Sequence, residues 1–230
     1  MEKDLLERFA CYLEAQSTLI QGVPNPWFPS VTISRRMGSG GIEIAQLLLE
    51  WLTNSSTHTW TVFDKNLAGL VWRNQNLPDA VRRFMREEVP QPIQDTVQEL
   101  LGVRTLNWRL AELTVATILR LTHLGNAIFV GRGSNVITAN QKSVFHVRLV
   151  APFANRVRQI EAHHRLGPQE AVDLISTTDD ARRCYVKHYF GAEIEDPINY
   201  HLVINTGLTG YEEAARIIGD ATLKLRLEGR

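Results

Sequence analysis

The sequence predicts an α/β fold, a parallel sheet wrapped by helices, and three observations carry that expectation. From Val31 onward, short apolar runs alternate with longer amphipathic ones. The first of these runs passes through a glycine-rich turn straight into a helical stretch. The composition, 44% hydrophobic and 22% charged over 230 residues, is that of an ordinary globular protein, long enough for one well-cored domain with an accessory segment.

Taken in order, residues Met1 to Gln21 read as an amphipathic helix with Leu5, Phe9, Tyr12 and Leu13 on one side, and a linker with three prolines follows over Gly22 to Ser30. Residues 1–30 are therefore expected as an N-terminal extension and 31–230 as the main domain. Five runs read as buried strands: Val31 to Ser34, Trp60 to Asp64, Ala127 to Gly131, Val144 to Val150, and His201 to Asn205. Several are rich in the β-branched and aromatic residues that strands favour. Helical stretches lie between them over Ile42 to Leu52, Asn107 to Leu124, Phe153 to His164, Pro168 to Phe190 and Tyr211 to Leu227. In the first of these, Ile44, Leu47, Leu48 and Trp51 recur at three and four residues, which gives one apolar face. From about 67 to 124 the pattern is helical throughout, an insertion between the second and third strands.

Charge narrows the function classes. Lys plus Arg equals Asp plus Glu at 25 each, so the chain is not expected to coat nucleic acid or anionic membrane. Cys11 and Cys184 are too few and too far apart for a disulfide framework, and the acidic N-terminus lacks the form of a signal peptide. A cytoplasmic location is the expectation. No His, Cys or acid falls at a spacing that makes a zinc site, so no protein-held metal is expected. There is also no nucleophile elbow.

The strongest local signal is Val31-Thr32-Ile33-Ser34-Arg35-Arg36-Met37-Gly38-Ser39-Gly40-Gly41-Ile42-Glu43-Ile44-Ala45. A buried strand, a glycine turn and a helix N-terminus in succession offer backbone amides to a phosphate, and the glycines let it approach the backbone. The ordinary phosphate loop, G-x-x-x-x-G-K-[ST], adds a lysine for the outer phosphates and a hydroxyl for magnesium. Here Gly41 stands at the lysine position and Ile42 at the hydroxyl position. A tight turn with no ligand is the competing reading of the same glycines. Asp64, at the carboxyl end of the second strand, is placed to orient magnesium or a nucleotide hydroxyl, or to cap the next helix.

These residues, together with Trp60 to Lys65, Val130-Gly131-Arg132-Gly133, Val144 to Pro152, Asp179 to Phe190 and Tyr200 to Thr206, resemble the cytidylate kinase-like family over roughly 31–220. The resemblance implies a three-layer α/β/α domain of the P-loop NTPase type, with a five-stranded parallel sheet. It also implies a helical insertion that binds a nucleoside monophosphate (about 67–124) and a helical lid that bears arginines (about 168–191). It implies phosphoryl transfer from ATP with Mg2+ to a nucleoside monophosphate or a related small acceptor. Gly38, Ser39, Gly40 and Gly41 would then hold the donor phosphates, and Asp64 and Arg132 the acceptor. Arg182 and Arg183 would close over the transferring group, with Arg156 and Arg158 adding to the basic rim.

Three departures from the family pattern qualify this. Relatives tend to carry arginine at 42, where this chain has Ile42. True cytidylate kinase has Gly-Arg-Asp where this chain has Gly131-Arg132-Gly133, so a cytosine preference does not carry over. The arginine expected on the helix after the second strand has only Arg73 as a candidate. The alternative is a catalytically impaired protein that senses a nucleotide or anion with the same fold and acts on a partner; homo-oligomers are open to either.

Overall fold

Apolar residues at alternate positions give each short run two different faces, and a three-layer fold follows from burying both. The computed structural model describes residues 2–21, 28–64, 78–86 and 108–228. Its elements are helix α1 (Glu2–Gln21), strand β1 (Ser30–Arg35), α2 (Gly41–Ser55), β2 (Thr61–Phe63), α3 (Asp79–Arg86), α4 (Trp108–Leu124), β3 (Ala127–Val130), α5 (Ser134–Ile137), β4 (Val144–Val150), α6 (Phe153–His164), α7 (Pro168–Phe190), a 3-10 turn (Pro197–Asn199), β5 (Leu202–Asn205) and α8 (Tyr211–Glu228).

The five strands form one parallel sheet in the order β2-β3-β1-β4-β5. Val31 and Ile33 of β1, Ile128 and Val130 of β3, and Val147 and Leu149 of β4 face α2 and α8. There they meet Ile44, Leu48 and Ile218, which are fully buried. Ala127 and Phe129 turn to the opposite side, where they pack with Leu6, Phe9 and Tyr12 of α1, Val81 and Phe84 of α3, and Val115 of α4. The amphipathic face read from residues 1–21 therefore lies against the core, and Tyr12 Oη donates to Gly125 O at 2.5 Å.

The middle of that second face is polar: Ser30, Thr32 and Ser34 on β1 and His146 and Arg148 on β4 are all buried. Buried polar groups need partners. Thr32 Oγ1 lies 2.8 Å from His146 Nδ1, and Arg148 donates to Ser34 Oγ at 2.7 Å.

The expected strands and helices are present, their ends displaced by a few residues at most. Two elements lack a sequence expectation. Helix α5 has only four residues and starts from Gly133, and the 3-10 turn is set by Asp196 capping Ile198 N–H. Linker residues 22–27, and 67–77 and 87–107 of the insertion, including Arg73 and Trp72, lie outside the described residues. Among the described residues, no helix is long and apolar enough to cross a membrane.

Candidate functional site

Strand β1 is the switch point of the sheet, with β3 on one side and β4 on the other. In a parallel α/β sheet a crevice opens at the carboxyl ends of the strands at such a point. Two cavities open there. One, of about 320 Å³, lies over the glycine turn and is lined by Gly38, Gly40, Gly41, Ile42, Glu43, Asp64 and, from α6, Gln159, His163 and His164. The other, of about 410 Å³, lies against the end of β3 and is lined by Gly131, Arg132, Gly133, Asn135, Thr177, Thr178 and Tyr185. Arg35 and Arg182 line both.

Gly38 and Gly40 have φ of +77° and +75°, a conformation that other residues adopt at a cost. Their turn delivers the chain to the N-terminus of α2, where Gly40 supplies no side-chain cap. The first amides of α2 therefore face the cavity with the positive end of the helix dipole. Ser39 does not line the cavity: it is fully buried, and its hydroxyl donates inward to Arg36 O at 2.8 Å and Leu149 O at 3.3 Å. It braces the turn.

The arginines divide by role. Arg182 donates to Arg35 O at 3.2 Å and lies 3.5 Å from Asp179. Burial lowers its pKa, offset by Asp179. Arg132 follows β3 with φ +62° and stands exposed at the rim of the second cavity. Arg183 turns outward, pairs with Asp180 at 2.7 Å and lines neither cavity. Asp179, Arg183 and Lys187 recur at i, i+4 spacing along α7 but are not partners, since Arg183 pairs with Asp180 and Lys187 with Glu193. Arg156 is a buried strut, whereas Arg158 lies at the surface with Asn155. Cys184, beside them, is exposed.

Burial, then repulsion from Arg182, pushes the Arg35 pKa down to about 9, with Asp64 and Asp179 opposing and Arg132 adding to the fall. A guanidinium under that pressure is a strong anion seeker. Arg36, at the edge of the loop cavity, and Arg148, which lines neither cavity, converge on one carboxylate, Glu195, at 2.7 and 3.7 Å.

A model of the cytidylate kinase-like family matches residues 30–208. The chain belongs to that family. The cytidylate kinase-like chain is also similar in structure to an uncharacterized protein from Eubacterium ventriosum ATCC 27560, with a TM-score of 0.58 and 15% identity over 84% of this chain and 98% of that one. A gluconokinase from Sinorhizobium meliloti 1021 aligns with a TM-score of 0.47 and 10% identity over 90% of this chain and 100% of that one. A shikimate kinase from Acinetobacter baumannii aligns with a TM-score of 0.42 and 14% identity over 88% and 95%. Superpositions as loose as these two transfer neither fold nor substrate. No curated protein matches the chain.

Sequence reasoning missed Asn135, Thr177, Thr178, Tyr185 and Asp179 as parts of the site. The first four are ordinary polar residues in the row of letters, brought to β3 only by the packing of α5 and α7. Asp179 accepts Met37 N–H at 2.7 Å and Arg156 at 2.7 Å, across 142 and 23 residues. Among the described residues, no group of three or more His, Cys, Asp or Glu could hold a metal ion by itself. Glu43 and Asp64, the carboxylates of the loop cavity, fit magnesium carried on a nucleotide's own phosphates, an ion that keeps several waters and takes one or two carboxylates.

Proposed function

We propose that this cytidylate kinase-like protein transfers the terminal phosphoryl group of ATP to a nucleoside monophosphate or a related small acceptor. The observation that carries the reading is the pair of cavities at the carboxyl ends of β1 and β3, joined by Arg35 and Arg182. Donor and acceptor then sit on either side of cations that face both. The amides of Gly38, Gly40 and Gly41 and the start of α2 hold the donor phosphates, with Ser39 shaping the turn. Arg132 serves the acceptor by its charge, whereas Asp64, expected beside the acceptor, lines the donor cavity and orients magnesium or a nucleotide hydroxyl there.

Phosphoryl transfer spreads charge over the equatorial oxygens, so cations placed in advance lower the barrier. Arg182 meets that charge directly, whereas Arg183 is held outward on Asp180. The acceptor oxygen bonds to the terminal phosphorus as the bond to the bridging oxygen breaks and ADP leaves. Magnesium, held by Asp64, Glu43 and the phosphates, would supply further charge neutralisation. Gly133 places no acid against a base, so the reading carries no cytosine preference. Two exposed thiols, Cys11 and Cys184, support a reducing, cytoplasmic setting.

The test is ADP release from ATP and magnesium with each nucleoside monophosphate in turn. Turnover that depends on the acceptor, and falls at least about 100-fold in Arg182→Ala, is the expected result. Release equal to a no-enzyme control with every acceptor sinks the reading. Thermal stabilisation by ATP without any turnover would point to a sensor instead.

A further inference from the structure

Space explains why position 41 is glycine. A Cβ built on Gly41 falls 2.7 Å from Cγ of Arg35 and 3.2 Å from its Cβ and Cδ. The stem of Arg35 lies across the point from which a lysine at 41 would grow. At its far end the guanidinium lies where a side chain on Gly131 would begin, so one could be added there only if Arg35 moved aside. Arg35 itself occupies the position that the ordinary loop gives to its first glycine, six residues before the lysine. Cation and glycine stand in each other's places.

Apart from Arg132 at the rim, the neighbouring arginines are engaged. Arg148 holds Ser34 and Glu195, Arg36 holds Glu195, Arg156 holds Asp179, and Arg182 holds Asp179 and Arg35 O. Among the described residues, the Arg35 guanidinium donates no hydrogen bond and joins no ion pair, although it lines both cavities. A largely desolvated charge that Asp64 and Asp179 offset only from a distance is unfavourable in the ligand-free protein. A di- or triphosphate would end that condition.

We propose that Arg35 grips the phosphates of the bound nucleotide, in the part that a lysine at position 41 plays in the ordinary loop. The proposal rests on the reading of the cleft as a phosphoryl-transfer site and names the cation that the loop otherwise lacks. It also assigns the steric reason for Gly41: loop cation and loop glycine are a matched pair, so changing one alone damages the site.

The experiment compares wild type with Arg35→Met, Arg35→Lys, Gly41→Lys and the exchange Arg35→Gly with Gly41→Lys. Sodium tripolyphosphate and ATP with magnesium are the probes, titrated by calorimetry, and ligand-free melting is followed by circular dichroism. Arg35→Met should melt higher than wild type by about 3 °C, because an unpaired charge has gone. It should bind tripolyphosphate on the order of 10- to 100-fold more weakly, the loss of a charge-assisted hydrogen bond. Arg35→Lys should stay within about tenfold of wild type, Gly41→Lys alone should bind more weakly still, and the exchange should regain affinity.

Undiminished tripolyphosphate binding in Arg35→Met overturns the proposal and leaves the transferase reading standing. A lower melting temperature in both Arg35→Met and Arg35→Lys, with binding lost in both, marks a structural residue and also overturns it. Wild type that binds neither probe overturns both readings.

Discussion

His146 stands in the middle of the sheet, 5% exposed, with its ring stacked on His201 at 5.0 Å between centroids. Burial, then the proximity of His201, hold its pKa down at about 4 against the usual 6.5. At pH 7 the residue is neutral in both folded and unfolded chains. As pH falls below about 6.5 the unfolded chain takes up a proton that the folded chain refuses until about 4, so stability is lost across that window. The loss should be about 2 kcal/mol by pH 5, measured as the difference between urea unfolding at pH 7 and pH 5. His146→Gln should show a correspondingly smaller loss. An equal pH dependence in the two proteins would refute the assignment. Nothing in the letters Val144 to Val150 reveals this, because a histidine in a strand shows its surroundings only once Thr32 and His201 lie beside it. Gly133 teaches the same lesson from the other side. Its lack of an acid is plain in the sequence, but the ring of Phe190 standing where its side chain would begin is a fact of packing.

At the scale of an element, α7 is fastened to the glycine turn by one carboxylate. Asp179 accepts Met37 N–H and pairs with Arg156, which also donates to Met37 O at 3.2 Å. The backbone of Met37 is thereby held at both its N–H and its carbonyl, one on each of the two peptide groups that flank its Cα. The pair is nearly dry, with side-chain exposures of 5% and 15%. Breaking it strands a buried charge, so Asp179→Ala should lower unfolding free energy by about 3 kcal/mol in chemical denaturation. Adding Arg156→Met should restore at least about 1 kcal/mol of that, since the stranded charge is then gone. Strictly additive losses would show that the two do not interact. The helix itself was legible from end to end, because Pro168 and Gly191 bracket a long amphipathic pattern. Which of its residues face the loop was not. Spacing along α7 relates Asp179 only to neighbours on the same helix, whereas its partners belong to another helix and to the turn.

For the whole molecule, the sheet and its helices could be read from sequence because each strand is a short apolar run with its own boundary signals. The strand order needed the family resemblance, since alternation by itself does not say which strand takes the centre. Helix α1 shows the limit most clearly: its apolar stripe was visible, but the surface it covers was not. Tyr12, fully buried, reaches Gly125, 113 residues further along the chain. Tyr12→Phe should cost about 1 kcal/mol, the net worth of the hydrogen bond.

That long reach also orders events during synthesis and refolding. On the ribosome, α1 emerges well before Gly125 and β3 exist, so the stripe of Leu6, Phe9 and Tyr12 waits uncovered while more than half the chain is made. Closing so large a loop is entropically slow, which places this docking late. Tyr12→Phe should therefore speed unfolding and leave the refolding rate nearly unchanged in stopped-flow measurements; a refolding rate that falls in step with stability would instead put α1 in the folding nucleus.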